Sequence, residues 1–575
     1  MTTQVGPFEP RTTTRLRPIR RRTRATLRPI DQPKTARRTH ADAIWSVVSM
    51  PWFAMVVLGL MAFDLRAFRL GQSWDIFVDE ITYLRLSQNV AHHLSVTLYG
   101  VHFYLHPPAF FFLQALYIRL MSPTGSVIEQ VQNVRYLNAL IASVSAALLF
   151  YIGYRIQGQM SGLIAALMFA LDPFVIRVSS RNLLDPSAVM WVLLGYAILF
   201  SIEDLKSDTV PWWRGIAAGV AFGLGLLTKD MIFFLTLVPL GVCFIRGWSL
   251  SRPLAFLVSV VTAATYLPYL FTVVIIGDWT LFVDDKTRGA LRLAGAIQET
   301  GFNKPGNQSL VSAITAQIDA FATTYAILGL GLLAVGLLLL VGGHRGRLIA
   351  IWTGSAYTLL AYSIAFGTLE EQFFYYLVVP SIVSIAVAST MLYRGKLIAQ
   401  RYRRLCLGAG TFLVLIFVAW SGAIWLRVHT TPDNGYQRVV SYLNENVPRG
   451  THVSVTTDTA QFIMAGYESG VWVTPAQWRD HRVEYVVIST SEINKGYSFV
   501  GEDTLTWLEG NAQLVYSFDG PTFGSLRVYR LPASFAYSGG DPPLTSGDRT
   551  AARSDDDGVH TQSEYPPDYA IKTYR

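Results

Sequence analysis

The chain has 575 residues, 51% of them hydrophobic and only 15% charged, with a mean hydropathy of +0.34. A soluble globular protein carries about 25% charged residues, so the composition excludes an ordinary soluble enzyme and indicates a polytopic membrane protein. Cys243 and Cys406 are the two cysteines and both lie in apolar runs, which leaves no disulfide framework and no cysteine metal site.

The net charge of +8 is unevenly spread. Residues 1–40 hold ten Arg and one Lys against Glu9 and Asp31, a local charge of +9, so the remainder is about −1. A basic arm can attract nucleic acid or anionic lipid. Directly before a membrane span it reads more plainly as a disordered cytoplasmic tail, residues 1–42, that fixes orientation, and no nucleic-acid partner is expected. The first apolar run begins near Ala43, and no cleavable signal is expected.

Apolar runs then follow near 43–63, 132–154, 160–178, 186–202, 212–228, 230–246, 253–277, 320–342, 348–366, 373–393 and 405–426, about eleven spans. The segment "PPAFFFLQALYIRLMS" (107–122) is short, aromatic and opened by two prolines, and is read as a helix lying in the interface. With that reading and the amino terminus inside, Arg155, Lys206, Arg214, Arg246, Arg252, Arg345, Arg347 and the basic stretch 394–404 all fall on the cytoplasmic side, as the positive-inside rule requires. Residues 64–131, the turns at 179–185, 229 and 367–372, the loop 278–319 and everything after 427 then face outward. The expected organisation is a multi-pass plasma (inner) membrane protein. Its membrane domain is 43–426, with an outer loop 64–131, followed by an extracytoplasmic α/β domain at 427–532.

Within that domain "GYQRVVSYLNENVPRG" reads as an amphipathic helix ended by Pro448 and Gly450. "THVSVTT", "VEYVVIST", "AQLVYSF" and "GSLRVYRL" read as strands. From 533 to 575 the composition turns polar and reads as disordered.

Four outward clusters carry the candidate chemistry: Asp79–Glu80; His106 in "YLHPP"; Arg177, Arg181 and Asp185 in "RVSSRNLLDPS"; and Lys229–Asp230 in "LLTKDM". A carboxylate at the membrane surface can take a proton from a hydroxyl. Lys and Arg at the same depth can hold a phosphate and offset the charge growing on it. Together they suit transfer of a group from a lipid phosphate to an alcohol. Plainer readings stand beside this one. Asp79–Glu80 are solvated acids outside a span, Asp185 before Pro186 caps a helix, and Lys229 snorkels. His106 braces the Pro–Pro turn. Tyr375 and Tyr376 in "EEQFFYYLVVP" form an aromatic belt, or with Tyr83 contact acceptor or lipid.

The ordered series "DEITYLRLSQNV", "LHPPAFFFLQALYIRL", "NVRYLNALIASVSAALLFYIGYRI", "ALDPFVIRVSSRNLLDPSAVMWVLLGYAIL" and "GLGLLTKD" resembles the protein mannosyltransferase-like family 39 glycosyltransferases, of the polytopic GT-C class. The resemblance covers roughly residues 45 to 400. It implies a polyprenyl-phosphate sugar as donor and an inverting transfer at the outer face. Asp79 would be the base on the acceptor hydroxyl, with Glu80 positioning groups beside it. His106, Arg135, Asp185 and Lys229 occupy family positions concerned with the donor and its phosphate, and Arg181 joins them as a phosphate candidate. In the related lipid A aminoarabinose transferases a Glu-Lys pair stands where this chain has Leu105 and His106, so a divalent metal is left open. The acceptor is likewise open: a protein hydroxyl, a glycan or a glycolipid. The competing reading is a transporter or flippase for a lipid-linked sugar. Transporters tend to show repeats and charges at mid-membrane, whereas the charges here sit at helix ends.

Overall fold

A computed structural model describes residues 50–207, 210–297, 309–394, 400–464, 466–533 and 535, without the side chains of 400, 401, 403, 406 and 407. The expected tail 1–42, the expected tail 533–575 apart from 533 and 535, and the side chain of Cys406 lie outside the described residues.

Among the described residues the bundle opens with α1 (Pro51–Ala67), followed by the short α2 (Leu70–Ser73) and α3 (Val78–His93). A two-stranded ribbon, β1 (Thr97–Leu98) and β2 (Val101–His102), leads to α4 (Ala109–Met121). Then come α5 (Val127–Gln157), α6 (Gln159–Leu171), α7 (Pro173–Ser179), α8 (Leu184–Ser201), α9 (Trp212–Leu226), a 3-10 turn (Asp230–Leu235) and α10 (Leu237–Arg246). They are followed by α11 (Arg252–Ile276), α12 (Trp279–Leu293), α13 (Leu310–Val341), α14 (Gly343–Ala365), α15 (Phe373–Arg394) and α16 (Gln400–Thr430). Among the described residues seven helices are long and apolar enough to cross a membrane, or eight if a bent pair counts as one span. The expected figure of about eleven therefore includes runs that fold as shorter or broken helices.

Two of those runs break for identifiable reasons. The run 160–178 becomes α6 and α7, bent by 67° at Asp172–Pro173. Pro173 has no N–H for the carbonyl of Phe169; Arg66 from α1 supplies the donor, at 3.2 Å, while the Asp172 carboxylate caps the amide of Val175 at 3.0 Å. The run 230–246 starts as a 3-10 turn and becomes α-helical only at Leu237. Pro239 leaves the carbonyl of Leu235 open, and Tyr196 donates to it at 3.0 Å. At the turn between α5 and α6, a Cβ on Gly153 would meet the backbone of Gly162 at 2.8 Å, so glycine there permits the close crossing.

After α16 the chain forms a small α/β unit. It contains α17 (Gly435–Asn446), β3 (His452–Val455), α18 (Asp458–Ile463), β4 (Glu468–Gly470), α19 (Pro475–Asp480), β5 (Tyr485–Ser489), α20 (Thr490–Asn494), α21 (Glu502–Asn511), β6 (Gln513–Gly520) and β7 (Gly524–Arg530). The sheet order is β4-β3-β5-β7-β6, parallel from β4 to β5 and antiparallel through β7 and β6. The four expected strands are present. The three-residue edge strand β4 is too short to announce itself by alternation, and α16 runs to Thr430, past the expected domain start at 427.

This unit packs on the loops at one end of the bundle. Asp433 donates its amide to the carbonyl of Gln72 at 2.8 Å, and the Asp75 carboxylate accepts from the amide of Tyr436 at 3.1 Å. Arg85 of α3 lies against the rings of Tyr99 and Phe462. The segment that opens α3 is thus held between bundle and sheet.

Candidate active site at the loop end of the bundle

The four outward clusters of the sequence converge at this end, by contacts that can be followed one at a time. The amide of Ala109, at the start of α4, donates to the carbonyl of Leu227 at 2.9 Å, which brings "HPP" beside the turn carrying Lys229. Lys229 Nζ lies 2.8 Å from Asp185 Oδ1, with both side chains almost wholly buried. The Tyr376 hydroxyl donates to the same carboxylate oxygen, and Lys229 stands 5.9 Å from the Tyr376 ring. On α3, Tyr83 lies 6.0 Å from the His106 ring. It is one turn after Asp79 and so on the same helix face. Tyr83, His106, Lys229, Asp185 and Tyr376 form one cluster.

Asp185 does not cap its helix: the N-cap is Leu183 and no side chain caps it. Lys229 is 4% exposed and does not snorkel. Tyr375 and Tyr376 are fully buried and Tyr83 nearly so, which removes the aromatic-belt and lipid-contact readings for all three. Of the three tyrosines, Tyr83 and Tyr376 join the cluster directly.

Glu80 and Arg135 sit behind it. Arg135 Nε and Nη2 each lie 2.7 Å from a different oxygen of Glu80. The other donors of Arg135 go to the carbonyls of Leu70, Trp74 and Asp75. With every donor engaged and no exposure, Arg135 has none left for a donor phosphate, contrary to expectation. Glu80 also accepts from the amides of Phe77 at 3.1 Å and Asn182 at 2.7 Å, which ties the start of α3 to the "RNLLDP" turn. Burial raises the Glu80 carboxyl, but Arg135 and these bonds outweigh it and hold it below the usual carboxylate range. Asp79, at the second position of α3, is half-buried and lies in the field of the helix amino terminus.

Arg181 is likewise apart from the cluster. It stands 5.8 Å from the Trp74 ring and donates to the Thr522 hydroxyl at 3.3 Å, facing the α/β unit.

Two cations that composition did not single out complete the site. Lys286 of α12 lies 2.6 Å from Asp230 Oδ2 and 3.3 Å from the Leu105 carbonyl, next to His106. Arg292, two turns on, lies 3.3 Å from Glu370. Their signal in the sequence was the run of basic residues in "DDKTRGALRL". His106 is held well below its usual pKa, first by burial and then by Lys229, Lys286 and Arg292, so it stands as a neutral imidazole. Among the described residues no three His, Cys, Asp or Glu side chains gather as a metal requires. Asp185 and Asp230 are each engaged by a lysine, at 2.8 and 2.6 Å, and no step is routed through a metal.

The helical bundle with its small α/β unit has the fold of the GT-C membrane glycosyltransferases. Residues 116–291 match the family model for dolichyl-phosphate-mannose-protein mannosyltransferase, which bears out the resemblance read from the motifs. Among solved structures, the oligosaccharyltransferase AglB from Archaeoglobus fulgidus, in complex with an inhibitory peptide and a dolichol-phosphate, has 14% identity and a TM-score of 0.54. That match covers 87% of this chain and 76% of the other. ArnT from Cupriavidus metallidurans in the apo state has 13% identity and a TM-score of 0.54, over 88% of this chain and 100% of the other. The same protein bound to undecaprenyl phosphate has 12% identity and a TM-score of 0.50, over 87% and 100%. None of the curated proteins matches the chain in sequence.

Proposed function

We propose that the protein transfers a sugar from a polyprenyl-phosphate carrier to a hydroxyl acceptor at the extracytoplasmic face, with inversion. The observation that carries this reading is the set of three cations, Lys229, Lys286 and Arg292, around a neutral His106 at the loop end of the bundle. Solved structures of the same fold with dolichol-phosphate or undecaprenyl phosphate bound support such a donor.

In the proposed step Asp79 accepts the proton of the acceptor hydroxyl as its oxygen bonds to the anomeric carbon. The bond from that carbon to the carrier phosphate breaks, and the departing phosphate keeps the electron pair. Lys229, Lys286 and Arg292 offset its charge. Glu80 and Asp185 suit the base role less, because each is buried in an ion pair that protonation would break. Neutral His106, with its ring N–H directed to the Leu105 carbonyl, lines the cradle without adding charge. With α3 and the α/β unit outside, the basic residues 1–42 would be cytoplasmic.

The test is sugar transfer from a panel of polyprenyl-phosphate sugars by the purified full chain in nanodiscs. Consumption of one donor with release of polyprenyl phosphate supports the reading. Uptake or flipping of the lipid with its sugar bond intact contradicts it.

A further inference from the structure

A second group of cations stands on the other side of the turn that follows α14. Glu370 and Glu371 are adjacent, and they face different partners: Glu370 holds Arg292 of the His106 cluster, while Glu371 lies 3.3 Å from Arg177. Arg177 lies in the last turn of α7 and Arg181 two residues past its end, near enough for the two charges to act on each other. Arg181 bonds Thr522, at the start of the β7 side of the sheet unit. The next residue, Phe523, accepts from the amide of Ser491 in α20, and Lys495 follows that helix by one residue. Lys495 keeps access to water, and the charges acting on it are Arg177, Arg181, Glu371 and Glu492.

These cations are incompletely satisfied. The Nε atoms of Arg177 and Arg181 are buried without a hydrogen-bond partner among the described residues, and Arg181 is 7% exposed. Burial, then Arg177, pushes Arg181 down to about 10. Glu80 and Glu371 offset part of this charge, but a buried guanidinium N–H without an acceptor is costly unless a further anion completes it.

We propose that Arg177, Arg181 and Lys495 form a second oxyanion subsite, which takes a phosphate or similar anionic group carried by the acceptor. Two arginine forks and a lysine give the planar and point-charge donors such a group accepts. The site draws on both the bundle and the α/β unit, so that unit becomes part of acceptor recognition. Only the assignment of the site to an acceptor rests on the transferase reading.

The experiment is calorimetric titration of the full chain in nanodiscs of neutral lipid with inorganic phosphate. Wild type should show two classes of binding. Lys495→Ala, a change on an accessible residue, should weaken one class about tenfold, the effect of losing one charge-assisted bond. Lys286→Ala should weaken the other class, and Arg177→Gln should act on the same class as Lys495→Ala. A Lys495→Ala titration that superimposes on wild type overturns the second subsite, while loss of binding in Lys286→Ala would still support the donor cradle. Both variants weakening a single shared class also overturns it, and binding absent from wild type overturns both sites.

Discussion

Arg135 grips Glu80 through two bonds of 2.7 Å in a fully buried pair, while the adjacent Asp79 remains half-buried at the mouth of the same helix. Two neighbouring carboxylates are thereby given different work. Glu80 ties α3 to the turn before α8, and Asp79 shares a helix face with Tyr83.

That division predicts different failures. Arg135→Ala leaves a buried carboxylate without its partner and should cost about 3–5 kcal/mol of stability. Thermal unfolding in detergent should show a large drop for Arg135→Ala and little change for Asp79→Asn. Equal melting temperatures for wild type and Arg135→Ala would refute the bracing role.

Lys286 is expected to bind the departing phosphate, with Asp230 and the Leu105 carbonyl holding it in place. Lys286→Ala should raise the apparent KM for donor about tenfold or more, as expected for a lost charge-assisted contact, and leave the acceptor dependence unchanged. A donor titration unaltered by this change would remove Lys286 from the cradle.

Asp75 supplies a pH signature for the junction with the α/β unit. Burial, then Asp433, pushes its carboxyl up to about 7, against an ordinary value of about 3.9 in an unfolded chain. A raised acid pKa favours the folded state while the group is protonated in both states. That contribution is lost as pH rises from about 4 through about 7. Wild-type stability should therefore fall more steeply with rising pH across this window than that of Asp75→Asn. Parallel pH profiles for the two proteins would show that Asp75 is not the titrating group.

The amino-acid sequence made the broad architecture legible because a membrane protein is written in long apolar runs separated by short polar loops. The α/β unit was equally legible, since "VEYVVIST" and "GSLRVYRL" became the paired strands β5 and β7. Helix breaks were less so. Whether Pro173 and Pro239 interrupt a span depends on distant donors, Arg66 and Tyr196, that no local pattern reveals. Among site residues, Lys229, Asp185 and His106 came together as their outward positions suggested. Arg135 and Arg181 did not join them, because charge type says nothing about which partner a guanidinium will find. Lys286 and Arg292 entered through tertiary folding of α12, an amphipathic helix with no motif of its own.

The most direct measurement is single-turnover sugar transfer from a polyprenyl-phosphate donor by purified Asp79→Asn beside wild type, with folding checked by thermal unfolding. General-base assistance contributes about 100- to 10,000-fold. The account predicts a loss of at least about that lower size in rate, with donor binding retained. A folded Asp79→Asn protein that transfers sugar at the wild-type rate would contradict it.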